Sequence, residues 1–132
     1  MKTKILFLAG ILIVVIILAI GISYLRKVNL YRENVANITY SDTDISTVPD
    51  GMYIGECDVD FIYAKVEVTV KDGMITKIDL LEHKNGRGEL AEGIEQRILE
   101  QQRIDVDTVS GATNSSKVIK KAIDNALNCL SS

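Results

Sequence analysis

The chain has 132 residues, 47% hydrophobic and 25% charged, with a net charge of −3, one His and two Cys. A single His and two cysteines, Cys57 and Cys129, show no metal-ligand spacing, which argues against a zinc or iron–sulfur site. From Val28 onward 11 Lys and Arg stand against 18 Asp and Glu, a net of −7, and so acidic a segment is a poor partner for nucleic acid or an anionic lipid surface.

The chain opens with Lys2 and Lys4, followed by an unbroken apolar run from Ile5 to Ile22 that continues through Tyr24 and Leu25 to Arg26 and Lys27. A bilayer core of ~30 Å requires a helix of about this length, and its backbone groups must be satisfied within the segment. The run is longer than a signal-peptide core, and Ala19-Ile20-Gly21 is a poor cleavage site. Residues 1–27 therefore read as an uncleaved membrane anchor. Basic residues flank it on both sides, so charge alone leaves its orientation open.

Residues 28–49 are polar and read as a spacer, with a short helical extension of the anchor through Leu30 and Tyr31. The folded domain is expected over residues 50–132, which is enough for one small domain. Met52 to Cys57 reads as a first strand, with Gly51 and Gly55 as turn or bulge residues around it. From Phe61 to Lys71 the apolar Ile62, Ala64, Val66, Val68 and Val70 alternate with polar neighbours, the pattern of a strand with one buried face. Asp72-Gly73 is a tight-hairpin dipeptide. A third strand follows from Met74 to Leu81, with Met74, Ile78 and Leu80 expected inside.

The loop HKNGRG then leads to a helix expected over residues 89–103, with Leu90, Ala91, Ile94 and Ile98 inward and Glu89, Glu92, Glu95 and Glu100 on its solvated face. An extended piece, Ile104 to Asp107, enters the loop TVSGAT. The last helix, expected from Asn114 to Leu130, carries Val118, Ile119, Ala122, Ile123, Ala126, Leu127 and Leu130 on one face, with Lys117, Lys120 and Lys121 off it. This order indicates an α+β class: a transmembrane helix, then a small antiparallel-sheet domain with two packed helices. Whether Cys57 and Cys129 pair is left open.

The segment with chemical content is Asp107-Thr108-Val109-Ser110-Gly111-Ala112-Thr113-Asn114. Gly111 and Ala112 allow close approach to the backbone, and Ser110, Thr113, Asn114, Ser115 and Ser116 offer side-chain oxygens. The helix that follows presents a partial positive charge at its N-terminus, which favours a phosphate. Helix capping by Thr113 or Asn114 is the plainer reading of the same residues.

Asp107, Ser110, Gly111, Ala112 and Thr113 together resemble the flavinylation motif of the FMN-binding domain family, approximately Asp-x-x-Ser-Gly-Ala-Thr. The resemblance extends over DGMYIGE, over the hairpin VTVKDGMITKIDLLEH and over the helix after the motif. That family includes the flavin-carrying subunits of the Rnf and Na⁺-translocating quinone reductase complexes and many small membrane-anchored proteins. The resemblance implies FMN joined by a phosphoester bond to Thr113, transferred from FAD by a flavin transferase. It places Ser110 close to the phosphate, with its hydroxyl expected to hold the loop by hydrogen bonding. It makes Gly111, Ala112 and Asn114 further cofactor-binding candidates, the backbone N–H groups near Asn114 to Ser116 being expected to bind the phosphate. Asp107, which like-charge repulsion keeps from being a phosphate ligand, would orient the loop or serve transferase recognition. His83 is a further candidate for contact with the flavin, and Leu80, Leu81 or Met74 for the shelf under its ring.

The same resemblance implies an electron-transfer protein rather than a stand-alone enzyme. It would sit in the cell membrane with a cytoplasmic N-terminus and an extracytoplasmic domain, between a membrane donor (a dehydrogenase or the quinone pool) and an extracytoplasmic acceptor. A non-redox binding or assembly module of the same fold is the alternative.

Overall fold

A computed structural model of the chain describes residues 1–84 and 93–129, and it divides into two compact units, Met1–Glu33 and Asn34–Ser132. The first unit lies within helix α1, Lys2–Ala36. This is one N-terminal helix long and apolar enough to cross a membrane. The helical extension expected through Tyr31 runs on to Ala36, and Val35, in the second unit, is buried.

The second unit holds strands β1 (Gly51–Asp58), β2 (Tyr63–Lys71) and β3 (Met74–Lys84) in an antiparallel sheet of order β1-β2-β3. Helix α2 (Gly93–Gln101) packs on β3, and helix α3 (Thr113–Asn128) packs on β1 and β2. The α+β class expected from the element order is the class observed. Alternation in β2 works as read: Ala64, Val66, Val68 and Val70 are buried against the helices, with Ile62 just before the strand. The hairpin turn puts Asp72 and Gly73 at φ of 52° and 72°, both left-handed, which is why Asp-Gly suits it.

β3 departs from simple alternation. Its register against β2 slips twice, leaving Thr76 and Leu81 without a partner. Each slip is a bulge that moves the following side chains to the other face. Ile75, Ile78, Leu80 and His83 therefore share the helix-covered face with Val70, Val68, Val66 and Ala64. Met74, expected inside, pairs with Lys71 beside the turn and is 53% exposed.

Gly55 is a strand residue, and its meaning lies in packing. A Cβ there would lie 2.8 Å from Ala126 Cα and closer still to the Ala122 carbonyl and the Ala126 amide. The backbone of α3 thus rests directly on β1 at this point, an approach only glycine permits. Asn125 strengthens the seam by donating from Nδ2 to the Glu56 carbonyl at 2.8 Å.

Of the stretch expected as a spacer, Thr39, Tyr40, Ser41 and Thr43 are hydrogen-bonded to α3. A 3₁₀ turn at Ile45–Thr47, capped by the Asp44 side chain, buries Ile45, and Val48 is buried just after it. Asp124, fully buried in α3, accepts the Ser41 N–H at 3.0 Å, the Lys121 ammonium at 2.7 Å and the Asn128 amide at 3.0 Å. Helix α2 ends where Gln102 turns left-handed at φ 52°, so Arg103 falls outside it. Gln102 closes part of the sheet edge, its side-chain amide bonding both the N–H and the C=O of Ile75 at 2.8 Å. The expectations for Leu90, Ala91, Glu89, Glu92 and Leu130, and for the residues of HKNGRG beyond Lys84, lie outside the described residues. Of the remaining glutamates, Glu100 is exposed and Glu95 half-buried.

Candidate functional site

Between α2 and α3 the chain runs through residues 104–112 without regular structure. Ile104 and Val106 are buried and pin this stretch to the core. Polar anchors then fix its main chain. Lys120 Nζ donates to the Val106 carbonyl at 2.7 Å, and Arg97 donates to the carbonyls of Asp107 and Thr108 at 2.8 and 3.0 Å. The Val109 carbonyl accepts the Ala112 N–H at 3.0 Å, and the Val109 N–H donates to Ser116 Oγ at 3.2 Å.

The Val109–Ala112 bond closes a four-residue turn with Gly111 third at φ 81°. This is the position at which a type II turn requires a positive φ, hence glycine. Ala112 follows as the N-cap of α3, buried, with no side chain capping the helix. The plainer reading of Thr113 or Asn114 as a cap is therefore not what the chain does. Thr113 is the first helical residue and is exposed. The first i→i−4 bond of the helix is Ser116 N–H to the Ala112 carbonyl at 2.8 Å, so the residues around Thr113 occupy the positive end of a 16-residue helix.

Asp107, Ser110, Gly111, Ala112, Thr113 and Asn114 thus come together by chain continuity on one loop–helix junction. Asp107 and Ser110 are both exposed, and the bonds that hold the turn come from Arg97 and Ser116 rather than from Ser110. The junction is lined by small residues, and its one hydroxyl on a first-turn side chain facing solvent without a capping role is that of Thr113. An exposed hydroxyl at the positive end of a helix suits a phosphate.

His83 stands apart. It pairs with Ala64 at the penultimate position of β3, and no hydrogen bond or ion pair among the described residues joins it to the loop. Its Nε2 is buried without a hydrogen-bond partner. Burial holds its pKa below the ordinary histidine value, so the imidazole is neutral near pH 7. Of the shelf candidates, Leu80 is half-buried on the helix-covered face, whereas Leu81 sits at a bulge and Met74 beside the turn, both exposed.

Lys120, expected off the apolar face of the last helix, is instead 3% exposed. Its ammonium is met by Asp105 at 3.0 Å, the Val106 carbonyl and the Tyr40 ring, 4.3 Å to the centroid. A buried ammonium is tolerated because it is paired and hydrogen-bonded. Burial, with Asp105 nearby, pushes the Tyr40 hydroxyl well above its ordinary pKa. Ser116 and Lys120 do carry a signal in the sequence, since 116, 119, 120, 123 and 127 form one helical stripe. Arg97 carries none, because any arginine beside a buried position of an amphipathic helix looks the same.

Both cysteines are free. Burial raises the Cys57 thiol pKa, opposed by nearby Lys121, while Cys129 lies two helical turns beyond Lys121, ~12 Å along the axis. The two thiols are therefore not placed to pair.

A family model described as "FMN-binding domain" matches residues 63–128. That span runs from the start of β2 to the end of α3 and contains the whole junction.

Proposed function

The chain belongs to the FMN-binding domain family, and on that premise we propose that it is a membrane-anchored, extracytoplasmic electron carrier whose FMN is joined by a phosphoester bond to Thr113. One observation carries the reading. The hydroxyl at the end of Ser-Gly-Ala-Thr stands exposed on the first turn of α3, behind a glycine turn and a buried alanine, with no capping bond to break.

Attachment requires a flavin transferase and FAD. Thr113 Oγ1 gives up its proton and takes the FMN phosphoryl group, while the pyrophosphate bond of FAD breaks and AMP departs. The resulting diester keeps one negative charge. The end of α3 receives it with a partial charge of about +0.5. FMN supplies the redox chemistry, and the chain's part is attachment, exposure and tuning.

A domain of this size leaves little space for a substrate pocket, which favours a carrier over a reductase. The anchor would hold the head outside the cytoplasmic membrane, where a dissociable flavin would be lost. Its donor would be a membrane dehydrogenase or the quinone pool, and its acceptor an extracytoplasmic one.

The test is in-gel fluorescence of the full chain, denatured after synthesis with and without a flavin transferase. A fluorescent band that requires both the transferase and Thr113 is expected. A dark band from a transferase-containing host would overturn the reading.

A further inference from the structure

Four successive carbonyls of the motif loop, those of Val106, Asp107, Thr108 and Val109, are each engaged by a donor. Lys120 holds the first, Arg97 the second and third, and the Ala112 N–H the fourth. Carbonyl oxygens carry the negative end of the peptide dipole. These four acceptors are thus already turned to partners before an anion arrives at Thr113.

Arg97 is the one member of this set that reaches the loop from another helix without being part of the loop or of α3. It lies one turn beyond Gly93, on the same face of α2, and an added Cβ at Gly93 would touch Val109 Cγ2 at 3.4 Å. The first turns of α2 therefore lie against the loop, and the half-buried guanidinium reaches two adjacent carbonyls at 2.8 and 3.0 Å. Ile94 and Ile98, on either side of it in α2, are fully buried, so the base of the side chain is fixed by the core.

Resting on the reading that Thr113 is flavinylated, we infer that Arg97 is a positioning residue for flavin attachment: it locks the Asp107 and Thr108 peptides and thereby sets the turn that presents Thr113. Losing it frees two carbonyls one residue ahead of Val109. The Val109 peptide and the Val109–Ala112 turn bond are the next links in the chain, and they loosen with it. The transferase must then order the loop as it binds, a cost that falls on recognition of the acceptor chain rather than on the chemical step.

The test uses the full chain in detergent, with Arg97→Met and Arg97→Lys, a flavin transferase and FAD. Two measurements are made: the kinetics of FMN incorporation with the acceptor chain varied, and amide hydrogen exchange of the unmodified chain. Arg97→Met should raise KM for the acceptor about tenfold or more with little change in kcat, as expected for losing two charge-assisted bonds. It should also speed exchange at the Val109 and Ala112 amides while leaving Ile119 and Ile123 protected. Arg97→Lys supplies one ammonium without the planar fork and should fall between, a few-fold from wild type. It keeps the proposal testable should the methionine variant fail to fold.

Wild-type KM and wild-type exchange at Val109 and Ala112 in the variants would overturn the inference, as would a loss of incorporation that merely tracks faster exchange throughout α3. An unmodified wild-type chain would instead sink the flavinylation reading. The exchange measurement would still decide whether Arg97 holds the loop.

Discussion

Replacing Gly55 by alanine tests the packing that sets the position of α3. The added methyl would lie 2.8 Å from Ala126 Cα and nearer to the Ala122 carbonyl and the Ala126 amide. All three are helix backbone, so no side chain can rotate away. Restoring ordinary contact requires α3 to lift from β1 by about 1 Å, and a gap of that size forfeits a quarter to a half of the dispersion energy of the atoms that part. Val118, Ile119, Ala122, Ile123, Ala126 and Leu127 all lie on the buried side of α3. At about 1.5–3 kcal/mol for each large apolar side chain fully buried, partial loss across this face gives a destabilisation of about 3 kcal/mol, at the upper end of the usual cost of overpacking.

The assay is thermal unfolding of the full chain in detergent, followed by circular dichroism at a wavelength where loss of the sheet is seen. A drop of roughly 12–24 °C is expected for a domain of this size. A change smaller than that for about 1 kcal/mol would show that α3 does not rest on Gly55, and the account of how the junction is positioned would fail with it.

Gly111→Ala should cost about 1–2 kcal/mol, the price of a left-handed φ for a residue with a Cβ, and should slow FMN attachment, read as a fluorescent band that develops late. His83 should make stability depend on pH. Because burial lowers its folded pKa, the unfolded chain binds the extra proton below ~6.5, so stability is flat above that pH and falls as pH drops toward the folded value. Urea titrations of wild type and His83→Leu at several pH values check this: the stability of wild type relative to the variant should be constant above ~6.5 and fall as the pH drops below it. A membrane-impermeant maleimide applied to intact cells should label the exposed Cys129 and react only slowly at Cys57, where burial raises the thiol pKa. Labelling of Cys129 only after permeabilisation would place the head in the cytoplasm.

What could be read from the sequence followed how local the cause was. The face of β2 was legible because period-two alternation from Ile62 to Val70 is enforced within one strand, and the Asp72-Gly73 turn because its dihedrals demand those residues. Met74 was misplaced because the bulges at Thr76 and Leu81 depend on pairing with β2, and a slipped register leaves no mark in composition. Gly55 looked like a turn residue, since sequence shows an absent side chain but not the helix that occupies its space. Thr39, Ser41 and Thr43 looked like spacer residues because the groups that bond them, Lys121, Asp124 and Asn128, lie far along the chain.

At the junction, the small-residue turn and Thr113 were visible as a motif. Of the side chains that hold it, Ser116 and Lys120 left only a helical stripe and Arg97 left no signal. Lys120 reads as a surface lysine until Asp105, Val106 and Tyr40 surround it. Arg97 becomes part of the site only when α2 is laid against the loop.

The central claim concerns the Thr113 side chain, and intact mass spectrometry of the full chain, produced alongside a flavin transferase and extracted from the membrane, tests it most directly. An added mass of one FMN less one water is expected, mapping to the peptide that contains Thr113 and absent from Thr113→Ala. A chain of unmodified mass, or an FMN increment that persists in Thr113→Ala, would contradict it.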